Sequence, residues 1–300
     1  MAENVVRVSG LTKTFGKNTV LSNVNISLER GKIYGFIGQN GAGKTTLINH
    51  INGLLFPDEG EIELFGASDS KGLVNARKRI GTVCEHAGLH DNYNAVDNIK
   101  LNMKLRGIKN DKLIEQTIAN VGLQGVGKKK FRNYSMGMKQ RLAIGCAMLS
   151  GPDLLLLDEP INGLDPTGIM EIRDLIIRLN TEKKITFMIS SHLLEELSKI
   201  ATRYGFILDG KLIEEISAVE LSQKCSDRVL IVPDNPQKAA EILPKIMPPQ
   251  QIHIYNKSVY LDSMIDRTGQ INKYLVENGV TVNQISIHAI NLEEYFLRKV

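Results

Sequence analysis

Gly38-Gln39-Asn40-Gly41-Ala42-Gly43-Lys44-Thr45-Thr46 stands between an apolar run at residues 33–37 and a stretch of helical pattern at 44–55. The order strand, G-x-x-x-x-G-K-[ST] loop, helix is the context that separates a phosphate-binding P-loop from a chance glycine-rich turn. Glycines let the backbone bend until several N–H groups converge on one anion. The positive end of the following helix adds to that field. Lys44 has the reach for β- and γ-phosphates, and the Thr45 hydroxyl is a ligand for Mg²⁺. Every residue from Gly38 to Thr46 is therefore a candidate nucleotide contact.

Working outward, the first 220 residues alternate strand and helix patterns, which predicts an α/β layer fold. Residues 5–8, 24–28 and 61–64 alternate with period two. The runs 33–37, 154–157 and 185–189 are continuously apolar, as strands buried on both faces of a parallel sheet are. Residues 94–150 are mostly helical in pattern, with Val96, Ile99 and Met103 at helical spacing, and read as a helical insertion. The strand Leu154-Leu155-Leu156-Leu157 delivers Asp158, Glu159 and Pro160. A buried strand ending in a carboxylate beside a P-loop is the Walker-B device. Asp158 suits Mg²⁺, which takes oxygen ligands and keeps several waters. Glu159, one residue further out, is placed to accept a proton from the attacking water.

Three hundred residues predict two domains. A composition of 42% hydrophobic and 23% charged residues suffices for a sizeable core, and a net charge of +4 without a long basic stripe predicts no nucleic-acid partner. Lys128-Lys129-Lys130 with Arg132 reads as a solvated face. The scattered Cys84, Cys146 and Cys225 fit a reducing cytosol and form no disulfide or zinc pattern. Met1–Asn4 has an early acid and no apolar leader core, and no window is long and apolar enough to span a bilayer. Prolines gather at 233, 236, 244, 248 and 249, five of nine, just after a change of pattern near residue 220. Strands at 229–232, 251–255, 258–262 and 280–287 and helices at 237–246 and 266–278 predict a β-α-β-β-α-β tail, the ferredoxin-like order, with a hairpin turn at Asn256-Lys257 and a last helix at 292–299. The expected division is 1–220, with a helical subdomain at about 90–150, and 221–300.

Tyr134-Ser135-Met136-Gly137-Met138-Lys139-Gln140-Arg141 opens the helical stretch before the Walker-B strand. It resembles the signature motif of ATP-binding-cassette (ABC) ATPases. Asn162-Gly163-Leu164-Asp165 is similar to that family's D-loop, Ser190-Ser191-His192 to its switch-histidine loop, and Phe15 to its adenine-stacking aromatic. The resemblance spans residues 4–220. It implies an ABC cassette, a mixed-sheet core with a helical subdomain, joined here to a small α+β domain. It also implies that His192 contacts the γ-phosphate and holds water and Glu159 in line, and that Ser135, Gly137 and Asp165 serve a nucleotide sandwiched between two cassettes. With one P-loop and one signature, a complete site then needs a second ATPase subunit, a homodimer or a paralogue. Two departures stand out. Glu85 occupies the place where the family's Q-loop has a glutamine; its carboxylate is still a Mg²⁺ ligand. Met136 and Met138 replace the usual Gly and Gln.

The expected function is hydrolysis of ATP, with Mg²⁺, to drive a separate integral-membrane permease, the subunit lying on the cytoplasmic face of the membrane. The Glu85 substitution and the signature resemble the bacitracin-resistance and lantibiotic-immunity exporters, which implies export of an antimicrobial peptide or drug. Two rivals remain at this level. A ribosome- or DNA-directed ABC ATPase usually carries two cassettes or a long coiled coil, and neither is in the sequence. A non-hydrolysing sensor has no need of Glu159.

Overall fold

The computed structural model describes residues 3–84, 88–225, 227–289 and 295. Two compact units divide the chain, Met1–Ala218 and Val219–Val300. The elements of the first unit run β1 (Asn4–Phe15), β2 (Asn18–Glu29), β3 (Ile33–Ile37), α1 (Lys44–Asn52), β4 (Glu59–Leu64), α2 (Ser70–Arg77) and β5 (Ile80–Val83). They continue with α3 (Ala95–Leu105), α4 (Lys112–Asn120), α5 (Met136–Ala147), β6 (Leu154–Asp158), α6 (Pro166–Lys183), β7 (Thr186–Ser191), α7 (Leu194–Ser198), β8 (Arg203–Leu208) and β9 (Lys211–Ser217). Helix α8 (Ala218–Lys224) spans the division.

Six strands form one sheet in the order β5-β6-β7-β3-β8-β9, parallel except for β9, which pairs antiparallel with β8. Strands β3, β6 and β7 are buried along their whole length, which is why they read as unbroken apolar runs. A second, antiparallel sheet has the order β2-β1-β4. Leu47, Ile48 and Ile51 of α1 share one core with Val6, Leu21 and Leu64 of this sheet and with Leu154, Leu156 and Ile207 of the other. The phosphate-loop helix is thus clamped between two sheets. Arg30 fastens the end of β2 by bonding both carboxylate oxygens of Glu3, at 2.8 and 2.9 Å, and Asp153 at 2.9 Å. Helices α3, α4 and α5 sit between β5 and β6 in the chain, as the helical insertion required.

Several boundaries differ from the sequence pattern, each for a local reason. Strands β1 and β2 are far longer than residues 5–8 and 24–28, because bulges at Val8/Leu11 and Leu11/Lys13 break the alternation without ending the ladder. Helix α1 stops at Asn52, where Gly53 turns left-handed (φ 76°) and its N–H closes the last turn; Leu54 and Leu55 continue the apolar pattern but lie outside the helix. Helix α5 begins at Met136, because Ser135 caps it.

The second unit runs β10 (Asp227–Pro233), α9 (Pro236–Ile242), β11 (Ile252–Tyr255), β12 (Ser258–Leu261), α10 (Thr268–Glu277) and β13 (Val282–Ala289). Its sheet order is β11-β12-β10-β13, antiparallel throughout. Val229, Ile231 and Leu261 on one sheet face share a core with Leu243, Ile271 and Leu275. Asn256 and Lys257 both have positive φ, 45° and 65°, the geometry of a tight two-residue hairpin turn. The helix expected at 292–299 lies outside the described residues apart from Tyr295.

Candidate functional site

The sheet order decides where the chemistry gathers. Strands β6, β7 and β3 are immediate neighbours and parallel, so their carboxyl ends lie side by side. Ligands of open α/β sheets bind at that edge. From β3 emerges the phosphate loop, from β6 Asp158 and Glu159, and from β7 Ser190, Ser191 and His192.

The loop is shaped by two glycines. Gly43 has φ 105°, and a Cβ there would meet Leu21 Cδ2 at 2.6 Å and the Val20 carbonyl at 2.9 Å. At Gly38 a Cβ would meet the Ile207 carbonyl at 2.5 Å. Only glycine lets the loop lie this close to β2 and β8 and still aim its N–H groups outward. Lys44 then folds back: its buried Nζ donates to the carbonyls of Gly38, at 2.7 Å, and Gln39, at 3.1 Å, and lies 3.1 Å from Glu159 Oε1. Asn40, Thr45 and Thr46 of the loop, with Val20, Glu159 and Asn162, line a cavity of about 410 Å³. Ala42 is buried, and its carbonyl accepts from Gly210 N–H.

Beneath the cavity runs a chain of short contacts. Thr45 Oγ1 donates to Asp158 Oδ2 at 2.7 Å, and Ser190 Oγ donates to Asp158 Oδ1 at 2.5 Å. The same Ser190 oxygen accepts from Glu159 N–H at 2.9 Å. This is possible because Asp158 and Ser190 are register partners across β6 and β7. Glu159 itself has φ 49°, a left-handed conformation that a side chain other than glycine adopts at a cost on the order of 1–3 kcal/mol. The turn swings its carboxylate over the loop, where His192 Nδ1 meets Oε2 at 2.9 Å on the side opposite Lys44. The ammonium of Lys44 meets Glu159, whereas Asp158 is met only by the hydroxyls of Thr45 and Ser190, so its carboxylate has no cationic partner among the described residues. Thr45 and Asp158 supply only oxygen atoms, the donor type Mg²⁺ prefers.

The remaining predicted residues lie elsewhere. Phe15 ends β1 with 47% of its surface exposed and the Lys13 ammonium 5.5 Å from its ring centre. Ser135 caps α5 by accepting from Met138 N–H at 3.2 Å, and Gly137 is buried in the first turn of that helix. Asp165 caps α6 by accepting from Gly168 N–H at 3.2 Å. None of these four lines the phosphate cavity of its own chain. Glu85 lies outside the described residues. The side chain that sequence reasoning left without a task is Ser190, which joins Asp158 to Glu159; a serine ending an otherwise apolar buried strand is the signal that marks it.

Residues 21–162 match the family model described as ABC transporter. The bacitracin transport ATP-binding protein BcrA of Bacillus licheniformis is 39% identical over 300 residues, covering 98% of this chain and 96% of that protein. The lantibiotic transport ATP-binding protein SrtF of Streptococcus pyogenes is 39% identical over 211 residues, covering 70% of this chain and 90% of that protein. Among solved structures, the ATP-binding cassette MJ0796, a dimer in a post-hydrolysis state bound to ADP and Pi, superposes with a TM-score of 0.64 at 26% identity, covering 71% of this chain and 98% of that one.

Proposed function

The chain belongs to the ABC transporter family as an ATP-hydrolysing, ATP-binding subunit, and from that premise we propose that it powers export of an antimicrobial peptide through a separate membrane permease. The reading is carried by one observation: Lys44, Thr45, Asp158, Glu159 and His192 join in a single run of contacts around one cavity. The loop N–H groups, the amino end of α1 and Lys44 hold the β- and γ-phosphates. Thr45 and Asp158 would hold Mg²⁺; bound there, it neutralises charge on the phosphate oxygens. Glu159 takes a proton from water as the water oxygen attacks the γ-phosphorus and ADP leaves, and His192 keeps that carboxylate aimed. Phe15 stacks on adenine. By the family resemblance, the Glu85 carboxylate would be a further ligand for that Mg²⁺.

Ser135 and Gly137 stand apart from the cavity of their own chain. They, with Asp165, serve the nucleotide of a second ATPase subunit, whether another copy or a paralogue. Loss of the γ-phosphate removes the anion that joins the two, and the pair opens. Among the described residues no helix is long and apolar enough to cross a membrane. The subunit sits on the inner face of the membrane by docking to its permease. The bacitracin and lantibiotic relatives support a peptide cargo.

The test is Glu159→Gln. Turnover should vanish while ATP binding and ATP-driven dimerisation persist. Wild-type protein that never hydrolyses ATP, alone or with its co-expressed permease, would turn the reading into a sensor. Cargo is tested by growth inhibition: cells carrying the chain and its permease should resist bacitracin or a lantibiotic, and Lys44→Ala should remove that resistance.

A further inference from the structure

At the end of α1 remote from the phosphate loop lies a second cavity, about 610 Å³, larger than the nucleotide cavity of about 410 Å³. It is enclosed within the first unit by the last turn of α1, the loop after it, β4 and α2, and is lined by His50, Phe56, Ile62, Leu73, Val74 and Arg77. A mostly apolar hollow of this size with a few polar groups is the usual form of a small-molecule site.

One of those polar groups lacks any hydrogen-bond partner, and another lacks a counter-charge. His50 is 0% exposed, and neither of its ring nitrogens has a hydrogen-bond partner. Buried polar atoms are nearly always paired, so an orphaned ring beneath a cavity marks a place for a bond from outside the chain. Burial, and then the Lys13 charge, push its pKa down to about 4 against the opposing pull of Asp58, so the ring is neutral and keeps one donor and one acceptor. Arg77 spends its Nε–H on the Ile51 carbonyl at 3.1 Å. Among the described residues no carboxylate pairs with its guanidinium. At the mouth, Phe56 and Val74 are 77% and 59% exposed, large apolar side chains left in water beside the opening. Glu61 is exposed on the lining from β4.

The geometry points to a binding site for a single-chain amphiphile with an anionic head, its apolar chain against Phe56, Leu73 and Val74, its head on Arg77, and His50 bonding it from the floor. No residue of this site belongs to the phosphate cradle, so its test is independent of the ATPase reading.

The chain contains no tryptophan, so Phe56→Trp places the sole tryptophan at the mouth, where excitation at its red edge avoids the tyrosines. Full-length protein without nucleotide is titrated with decanoate and, separately, with decyltrimethylammonium. Decanoate should shift the emission saturably below millimolar concentration, and the ammonium amphiphile should not. On this background Arg77→Gln should weaken decanoate by about tenfold or more, while Arg77→Lys stays within about threefold, as expected for a charge-assisted contact. Val74→Glu, at a position 59% exposed, puts a like charge and extra bulk at the mouth and should abolish the shift. Each variant is checked by its melting temperature. The inference is overturned by the absence of saturable decanoate binding, by equal binding of the ammonium amphiphile, or by full binding in either folded Arg77→Gln or Val74→Glu protein.

Discussion

Ser190→Ala removes a single oxygen that holds a carboxylate and a backbone N–H in place. In the wild-type chain that oxygen donates to Asp158 at 2.5 Å and accepts from Glu159 N–H at 2.9 Å, and the residue is fully buried, so water does not replace it. A hydrogen bond to a charged group is worth about 1.5–3 kcal/mol and a neutral one about 0.5–1.5 kcal/mol, so the loss is roughly 2–4 kcal/mol. In a unit the size of Met1–Ala218 each kcal/mol moves the melting temperature by about 2–4 °C, which predicts a fall of roughly 5–15 °C. Turnover should fall further than stability implies. Glu159 keeps its left-handed turn partly through this bond, and misplacing a reacting group by about 1 Å can cost on the order of a hundredfold. Thermal unfolding without nucleotide and phosphate release at saturating ATP read the two effects. A double-mutant cycle with Asp158→Asn should show coupling of about 1 kcal/mol or more. A melting temperature within about 2 °C of wild type together with turnover within about twofold would refute the role given to this serine.

Other expectations follow from the same geometry. His192→Ala should lower kcat by about a hundredfold with little change in ATP affinity, because the imidazole touches Glu159 and not the phosphate loop; steady-state ATPase kinetics distinguish the two. Gly43→Ala should abolish nucleotide binding by equilibrium titration and lower the melting temperature, since its Cβ would sit 2.6 Å from Leu21 at φ 105°. His50, with its pKa held near 4 by burial, binds its proton more weakly folded than unfolded. Stability should therefore be intact above the unfolded value near 6.5 and decline as pH falls through the window down to about 4, losing about 2 kcal/mol between pH 7 and pH 5. Urea titrations at the two pH values should show that slope, and His50→Leu should flatten it.

The phosphate loop and the Walker-B strand were legible because their chemistry is local. A glycine at φ 105° and a lysine that folds back are written in consecutive residues, and four leucines before two acids announce a buried strand with a charged tip. What stayed hidden depends on register. Nothing in the order of residues says that Asp158 faces Ser190; the pairing of β6 with β7 does. The left-handed turn at Glu159 is likewise imposed by the contacts around it, since glutamate has no intrinsic preference for it. The long β1–β2 ladder was missed because its bulges scramble the alternation that marks a strand. His50 reads as one polar residue on a helix; only the packing of two sheets around α1 reveals that it is sealed in without a partner.

The groups beneath the cradle bond mainly to one another. Thr45 is satisfied by Asp158, Lys44 by two carbonyls and Glu159, and Glu159 in turn by His192. Arrival of the triphosphate is then an exchange of mates, Lys44 trading its own backbone carbonyls for phosphate oxygens.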